Sequence, residues 1–424
     1  MSSGSATDRS TRLSLRHGRV VFGTAALFVF FQMVLQTFPS VMREGLVVDL
    51  SLNETGFGGL SSSFYYPYIV LQIPAGILVS RFGVRSVLIT GAALCTVASF
   101  LFAVSQTAGF AEATRILMGL GAAPTVVCAM TLAAQWFPQR MFPLLAALTE
   151  IAGMTGAAVG QETLGAIVEH AGWRAGMIAC GAFSAVLLVL IVALVRDRSG
   201  HGADDEHWPG FTQIKRSLLS MPVLSVATAG GFVASAGVGF GMLWGVSYFQ
   251  TYHHLSLSAA SICASFYFWG CLPGMLGFAW LCSRWGRPAL LLALGAVGTA
   301  VALALLLFVL RGQVAQSAAM FLLGVANSSY ALSFTMVKDK VPAQLSGTAM
   351  GLTNMTIMGI GGLIFQPLLG ALAHARGQHA PDAASLSVII LAQILALAIL
   401  AAEAFRTRAR TQGATTPVTL NRLP

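Results

Sequence analysis

The sequence predicts an all-α membrane protein in which twelve transmembrane helices form two six-helix bundles. Three observations support this fold class: an apolar composition, apolar segments of membrane-spanning length, and an internal repeat at an offset close to half the chain. The thickness of a bilayer sets the expected length of each apolar segment at about 20 residues.

The composition is typical of a chain whose solvent is lipid. Of the 424 residues, 56% are hydrophobic and 9% are charged, whereas a typical soluble domain has roughly 25% charged residues. The net charge is +9, but the basic residues form short runs between apolar segments and no basic face interleaved with aromatic residues, which excludes nucleic-acid binding. The six cysteines lie in apolar stretches without any C-x-x-C pair, so neither a metal site nor a disulfide framework is predicted.

The apolar segments are predicted to be helices, because backbone groups in lipid must bond within their own segment. None of them shows the period-two alternation of a transmembrane β-strand. A polar stretch at 196–221 divides an N-terminal bundle (20–195) from a C-terminal bundle (222–404), with tails at 1–19 and 405–424. We place the twelve spans, numbered in chain order, at 20–42, 56–79, 86–105, 110–134, 142–168, 174–195, 222–250, 258–282, 289–310, 314–337, 344–372 and 384–404.

Basic residues are distributed unevenly between the two faces of the predicted bundles. With twelve spans both termini share one face, which carries 19 of the 24 lysines and arginines against 4 on the other face, and Arg115 alone lies inside a span. Because cytoplasmic loops are enriched in Lys and Arg, this bias predicts a multi-pass protein of the inner membrane whose two tails and linker are cytoplasmic.

Four short segments occur twice in the same order, at offsets between 202 and 205 residues. Two parallel six-helix repeats are a known plan of secondary transporters. The matched segments are 63–65 with 265–267, 80–85 with 283–288, 148–149 with 352–353, and 161–166 with 366–371.

One repeated segment carries a family resemblance. The run Gly76-Ile-Leu-Val-Ser80-Arg81-Phe-Gly83-Val-Arg85 resembles the loop motif of the major facilitator superfamily, and a degenerate copy contains Arg284, Gly286 and Arg287. The run Arg115-Ile-Leu-Met-Gly119-Leu-Gly121 resembles a further motif of that family. The resemblance covers nearly the whole chain and implies the major-facilitator fold, a gating role for both loops, and alternating access. Segments 243–246 and 346–351 also resemble bacterial nutrient and siderophore permeases.

Two features depart from the family pattern. The loop motif usually has an acid before its arginine, whereas this chain has Ser80 and Ser283, which puts the family's charged latch in question. Span five contains Gly153, Gly156 and Gly160 but lacks the Gly-Pro pair typical of proton-driven exporters, which favours import over export.

Four ionisable residues are predicted inside spans at least two residues from either end, where a charge is costly and therefore a candidate for function: Glu112, Arg115, Glu150 and Glu162. Arg115 and Glu162 lie roughly 8 Å and 9 Å below the same face at a rise of about 1.5 Å per residue, on antiparallel neighbours. We expect them to pair, with Glu162 releasing a proton during the cycle. A static ion pair, or a bond from Arg115 to Glu112 one turn away, is the alternative.

Glu150 is predicted at a depth of roughly 12 Å without a basic neighbour. A lone carboxyl at such a depth suits proton coupling, although a protonated group bonded to backbone is an equal alternative. In the repeat Glu150 aligns with Asn354 and Glu162 with Pro367. The candidate proton-coupling residues Glu162, Glu150 and Arg115 therefore all belong to the N-terminal half.

Polar and aromatic side chains recur on the spans that, by the resemblance, face a central cavity. The family plan implies that spans one, four, seven and ten line this cavity. Helix–helix hydrogen bonding is the alternative for each side chain. The candidate substrate contacts are Gln32, Gln36, Arg115, Trp244, Tyr248 and Asn327, together with Tyr65 and Asn354.

These features predict a secondary active transporter for a small polar solute, with proton symport as the leading mode. Arg115 favours an anionic or zwitterionic solute such as an amino acid, organic acid or siderophore, and proton-coupled efflux of a drug or metabolite is the alternative. The sequence contains no phosphate-binding loop and no catalytic triad, so an enzyme is not predicted. The expected partners are the solute, protons and the bilayer, with the chain acting as a monomer without a cofactor.

Overall fold

The computed structural model describes residues 3–72, 74–197, 220–342 and 345–414, and within these ranges the chain is helical without any β-strand. Most of the predicted linker and the last ten residues of the predicted C-terminal tail lie outside the described residues. The first helix begins at Ser3, so the backbone of the predicted N-terminal tail continues into span one without a break.

The helices of the N-terminal half coincide with the first six predicted spans. Span two consists of three short helices, and Gly172, at φ 80°, interrupts the helix that contains spans five and six. The bounds are Ser3–Asp49 for span one, Glu54–Ser62, Tyr65–Val70 and Pro74–Phe82 for span two, Val84–Ala103 for span three, Ala108–Ala122 and Thr125–Trp136 for span four, and Phe142–Leu194 for spans five and six, after a 3-10 turn at Gln139–Met141.

The helices of the C-terminal half coincide with the last six predicted spans. Span seven consists of Met221–Ser235, a π-helix at Ala236–Trp244 and Gly245–His253; span eight is Leu257–Trp285; span nine consists of Pro288–Ala304 and a π-helix at Leu305–Val309. Span ten consists of Gln313–Asn327, a 3-10 turn at Ser328–Ala331 and Leu332–Lys338. Span eleven consists of Ser346–Met358, a π-helix at Gly359–Phe365 and Gln366–Ala375, and span twelve is Ala383–Ala414.

The predicted fold class is confirmed. In the described ranges, 10 continuous helical segments are long and apolar enough to cross a membrane. One of them, Gln139–Leu194, contains two spans because of the break at Gly172. Span two adds one more, which falls outside the 10 because its helices are interrupted. The count is therefore twelve spans, six in each half.

The interruptions place backbone groups where side chains can reach them. A proline lacks the N–H that would bond the carbonyl four residues earlier, and a helix end leaves its last carbonyls without an intrahelical donor. Pro39 lies inside span one, and the first helix of span two ends at Ser62. The carbonyls of Leu35 and Ser61 are therefore available to side chains from other spans.

The two halves pack tightly on the face opposite the chain termini, which we call the far face. The first helix of span two lies against the last helix of span eleven there. A Cβ atom on Gly370 would come within 2.4 Å of the carbonyl oxygen of Glu54, so only glycine permits this approach. Phe57 packs edge-on against Trp244, with ring centroids 5.4 Å apart. The far face of the bundle is closed.

Candidate functional site

Two repeat-related glutamines connect the halves on the far side of the bundle centre. Gln161 of span five donates to the hydroxyl of Ser40 (3.1 Å) and to the carbonyl of Gly241 in the π-helix of span seven (3.2 Å). Gln366 of span eleven donates to the carbonyl of Val238 in the same π-helix (2.9 Å) and lies 3.4 Å from the hydroxyl of Tyr65. The repeat thus places one carboxamide from each half at the interface.

A buried ion pair lies closer to the far face. Arg43 and Glu54 approach to 2.6 Å, with side chains only 8% exposed. Arg43 also donates to the carbonyl of His379 in the C-terminal half, and the ring of His379 lies 3.8 Å from Glu54. The sequence did not indicate this cluster because Arg43 and Glu54 lie just outside the predicted ends of spans one and two. The signal available was their opposite charge and their separation by only 11 residues across the turn between these spans.

In the described ranges, hydrogen bonds between the halves are confined to the far side of the bundle, and we call the opposite side the open side. Among the described residues, every hydrogen bond between the halves lies at the level of Tyr68 or further toward the far face. The carboxyl of Glu150 lies deep among protein atoms, yet its side chain is exposed. This combination is expected for a group that faces an open cavity.

Glu150 faces groups from both halves. It interacts electrostatically with the hydroxyls of Tyr68 in span two and Tyr330 in span ten. Tyr68 accepts a hydrogen bond from Gln32 at 3.0 Å and interacts with the side chain of Asn354. Of the predicted site residues, the structure therefore brings Glu150, Gln32 and Asn354 together, and it adds Tyr68 and Tyr330.

Arg115 lies away from this cavity. Its guanidinium is 1% exposed and donates to the carbonyls of Leu35 (2.6 Å) and Ser61 (3.0 Å). The rings of Phe38 and Phe64 lie on either side, at 4.8 and 4.9 Å. The expected pair with Glu162 is therefore wrong, because carbonyls freed by Pro39 and by the end of the first helix of span two already take up the guanidinium.

Glu162 instead contacts the other half of the protein. Its carboxylate accepts hydrogen bonds from the hydroxyl of Ser265 (2.6 Å) and the indole of Trp269 (2.9 Å), both on span eight. The side chain is half-buried between spans five and eight. Glu162 is thus an interface group rather than a partner of Arg115.

Four other predicted contacts have protein partners of their own. Asn327 bonds the carbonyl of Val233 and the hydroxyl of Tyr267 within the C-terminal half, which is the helix–helix alternative. Trp244 donates to the carbonyl of Gln366 at 3.0 Å, Tyr248 packs in an aromatic cluster, and Tyr65 contacts Met242 across the interface. Gln36 is buried without a hydrogen-bond partner.

The first gating loop connects to the end of span six. The backbone N–H of Arg85 donates to Asp197 at 3.0 Å, and its guanidinium donates to the carbonyl of Val192. Gly83 has φ 80°, and a Cβ there would lie 2.6 Å from the carboxylate of Asp197. Ser80 bonds only its own helix, at the carbonyl of Ile77. An acid outside the motif therefore contacts this loop.

The remaining loop residues are exposed and lie on the open side. Arg81 packs against the ring of Phe82 at 5.5 Å. In the second copy Gly286 ends span eight in a left-handed conformation, and Ser283 bonds the carbonyl of Trp280. Gly76, Arg284 and Arg287 are exposed. In the described part of the chain, neither loop bonds the opposite half.

Comparisons with known proteins agree with this architecture. The model of the Major Facilitator Superfamily matches residues 20–366. The "probable sulfoacetate transporter SauU" of Cupriavidus necator is 27% identical over 189 residues, 44% of this chain and 43% of that protein. The methylenomycin A resistance protein of Bacillus subtilis is 31% identical over 143 residues, 32% of this chain and 30% of that protein. The alignments thus span less than half the length of these relatives.

A solved structure shows the same fold over almost the full chain. It is the crystal structure of a bacterial homologue of the human lysosomal transporter Spinster in an inward-facing, occupied conformation. The two share 14% identity with a TM-score of 0.71, over 92% of this chain and 96% of that one. With a family model that matches most of its length, the chain belongs to the Major Facilitator Superfamily, whose members here are transporters rather than enzymes.

Proposed function

We propose that this protein moves a small polar organic solute across the inner membrane by alternating access, coupled to protons through Glu150. The supporting observation is the position of Glu150, whose exposed side chain faces Tyr68 and Tyr330 from opposite halves. No basic side chain pairs with it in the described part of the chain. A carboxyl between two moving halves can take a proton from one side of the membrane and release it on the other.

The arrangement of the halves supports alternating access by a monomer. Both walls of the cavity come from one chain, and contacts across the interface lie toward the far face. Opening that face requires breaking the bonds of Gln161, Gln366 and Arg43 across the interface, and closing the other side requires new ones. The excess of basic residues beside the termini favours a cytoplasmic location for both tails and the linker, so this state is open to the cytoplasm.

Proteoliposomes containing the Glu150→Gln variant test the coupling. We expect loss of uptake driven by a pH gradient, while exchange of labelled for unlabelled solute continues, because the glutamine preserves shape and cannot carry a proton. Glu112→Gln is the control, since Glu112 is also a carboxyl within a span of the N-terminal half. Full concentrative uptake by Glu150→Gln would overturn the proposal, as would an equal loss in both variants.

Proton-coupled efflux is the second candidate. The similarity to the methylenomycin A resistance protein favours it, whereas the similarity to the sulfoacetate transporter does not distinguish direction. Right-side-out vesicles with an acidic exterior and inverted vesicles with an acidic interior both reproduce the cellular proton gradient and separate the two. Accumulation in right-side-out vesicles supports symport, and accumulation in inverted vesicles supports efflux.

A further inference from the structure

One face of span one carries four polar residues: Gln32, Gln36, Ser40 and Arg43. At about 100° per residue they fall within about 80° of arc. Three of them bond groups that also reach the C-terminal half: Gln32 bonds Tyr68, Ser40 bonds Gln161, and Arg43 bonds Glu54. This face therefore points toward the plane where the two halves meet.

Gln36 is the exception on this face. Its side chain is 2% exposed, and neither its Nε2 nor its Oε1 has a hydrogen-bond partner among the described residues. Within the same residues the Oε1 of Gln32, one turn away, also lacks a partner. A buried amide without partners costs free energy that a bonded occupant would recover. The far-face-closed state thus contains an unmet hydrogen-bonding capacity between the cavity and the far face.

We propose that Gln36 is a recognition group of the transport site and bonds an uncharged hydroxyl or carboxamide of the solute when the far face opens. A carboxamide suits such groups because its Nε2 donates and its Oε1 accepts. The inference rests on the proposed function, because the solute reaches Gln36 only if the halves separate.

The charges around this site favour a neutral solute. Arg115 donates to two backbone carbonyls, and Arg43 pairs with Glu54, so an anion beside Gln36 would find no free cation in the described part of the chain. A cationic solute would compete with the proton for Glu150. A neutral hydroxylated or amide-bearing solute meets neither obstacle. The proposed solute therefore differs from the anionic or zwitterionic solute that the sequence position of Arg115 led us to expect.

The first test measures the thermal stability of ligand-free protein in detergent. We expect Gln36→Leu to raise the unfolding midpoint by about 1–3 °C, because it removes an unsatisfied polar group without removing a bond. Gln393→Leu is the matched control, since Gln393 is equally buried but donates to the carbonyl of Phe232 at 3.0 Å. We expect that control to lower the midpoint. A fall of similar size in both variants would overturn the proposal.

The second test compares ligands of similar size that carry different charges. Glucose, glucosamine and glucuronate, and separately glycerol, serinol and glycerate, are added to wild type and to both variants, and the shift in midpoint is recorded. We expect the neutral members to stabilise wild type and Gln393→Leu most, and to lose at least half of that shift in Gln36→Leu. Stabilisation mainly by a charged member, or an undiminished shift in Gln36→Leu, would overturn the proposal. Binding needs no proton gradient, so these results are distinct from a failure of proton coupling.

Discussion

At the scale of single residues, Arg115 shows how a buried charge can be structural. Its guanidinium meets two carbonyls and two aromatic rings, so its hydrogen-bonding capacity is directed at backbone rather than at a solute. The planar fork of arginine suits two acceptors on different spans, whereas the ammonium of lysine is a compact point charge. Arg115 therefore holds span four to spans one and two.

We predict that Arg115→Lys lowers the free energy of unfolding by about 1.5–3 kcal/mol, the usual contribution of a hydrogen bond to a charged group. Arg174→Lys is the matched control, because Arg174 pairs with Asp49 at an exposed site where ion pairs contribute about 0–1 kcal/mol. Thermal and denaturant unfolding in detergent would measure both. Equal small effects would contradict the structural role of Arg115.

The sequence places the ionisable residues in their spans but does not identify their partners. Depth follows from position along a helix, and the depths of Arg115 and Glu162 made a pair plausible. The rotation of each helix and the carbonyls left free nearby depend on packing between spans. Pro39 does indicate a free carbonyl at Leu35, but which donor would reach it could not be read from the sequence.

At the scale of helices, the length of the apolar segments predicted where the spans lie. All twelve predicted spans coincide with helices because lipid imposes one length and one secondary structure. The sequence did not predict the three-part span two or the π-helices of spans seven and eleven. These irregularities matter, since the carbonyls of Gly241, Val238 and Gly362 accept side-chain hydrogen bonds at the interface.

We predict an energetic coupling between Pro39 and Arg115. Alanine at position 39 supplies an N–H that can bond the carbonyl of Leu35 within span one, so Arg115→Lys should cost less in a Pro39→Ala background. The coupling energy in a double-mutant cycle should be about 0.5–1.5 kcal/mol. The cycle of Pro39→Ala with Arg174→Lys is the control, and we expect it to be additive within about 0.5 kcal/mol. Additivity in both cycles would contradict the account of the Leu35 carbonyl.

At the scale of the whole molecule, the far face is held by hydrogen bonds from both halves as well as by close packing. Gln161 and Gln366 occupy equivalent positions in the repeat. Gln161 bonds the carbonyl of Gly241 in the other half, and Gln366 lies 3.4 Å from the hydroxyl of Tyr65 in the other half. Neither carboxamide is ionisable, so a proton does not act directly on these two contacts. The closed face is therefore stabilised by one glutamine from each half, while the candidate proton site lies in one half.

Removing both glutamines should shift the molecule toward the state open at the far face. Nitroxide labels at Val48 and Val314, which are 76% and 86% exposed at that face of opposite halves, would report their separation by pulsed electron spin resonance in a Cys282→Ser background. We expect Gln161→Leu with Gln366→Leu to add a longer distance to the distribution, because the contacts of Gln161 with Gly241 and of Gln366 with Tyr65 across the interface are lost. The Gln393→Leu variant keeps the interface intact and should give the wild-type distribution. An unchanged distribution in the double variant would show that packing around Gly370 and the Arg43–Glu54 cluster suffices to keep the far face closed.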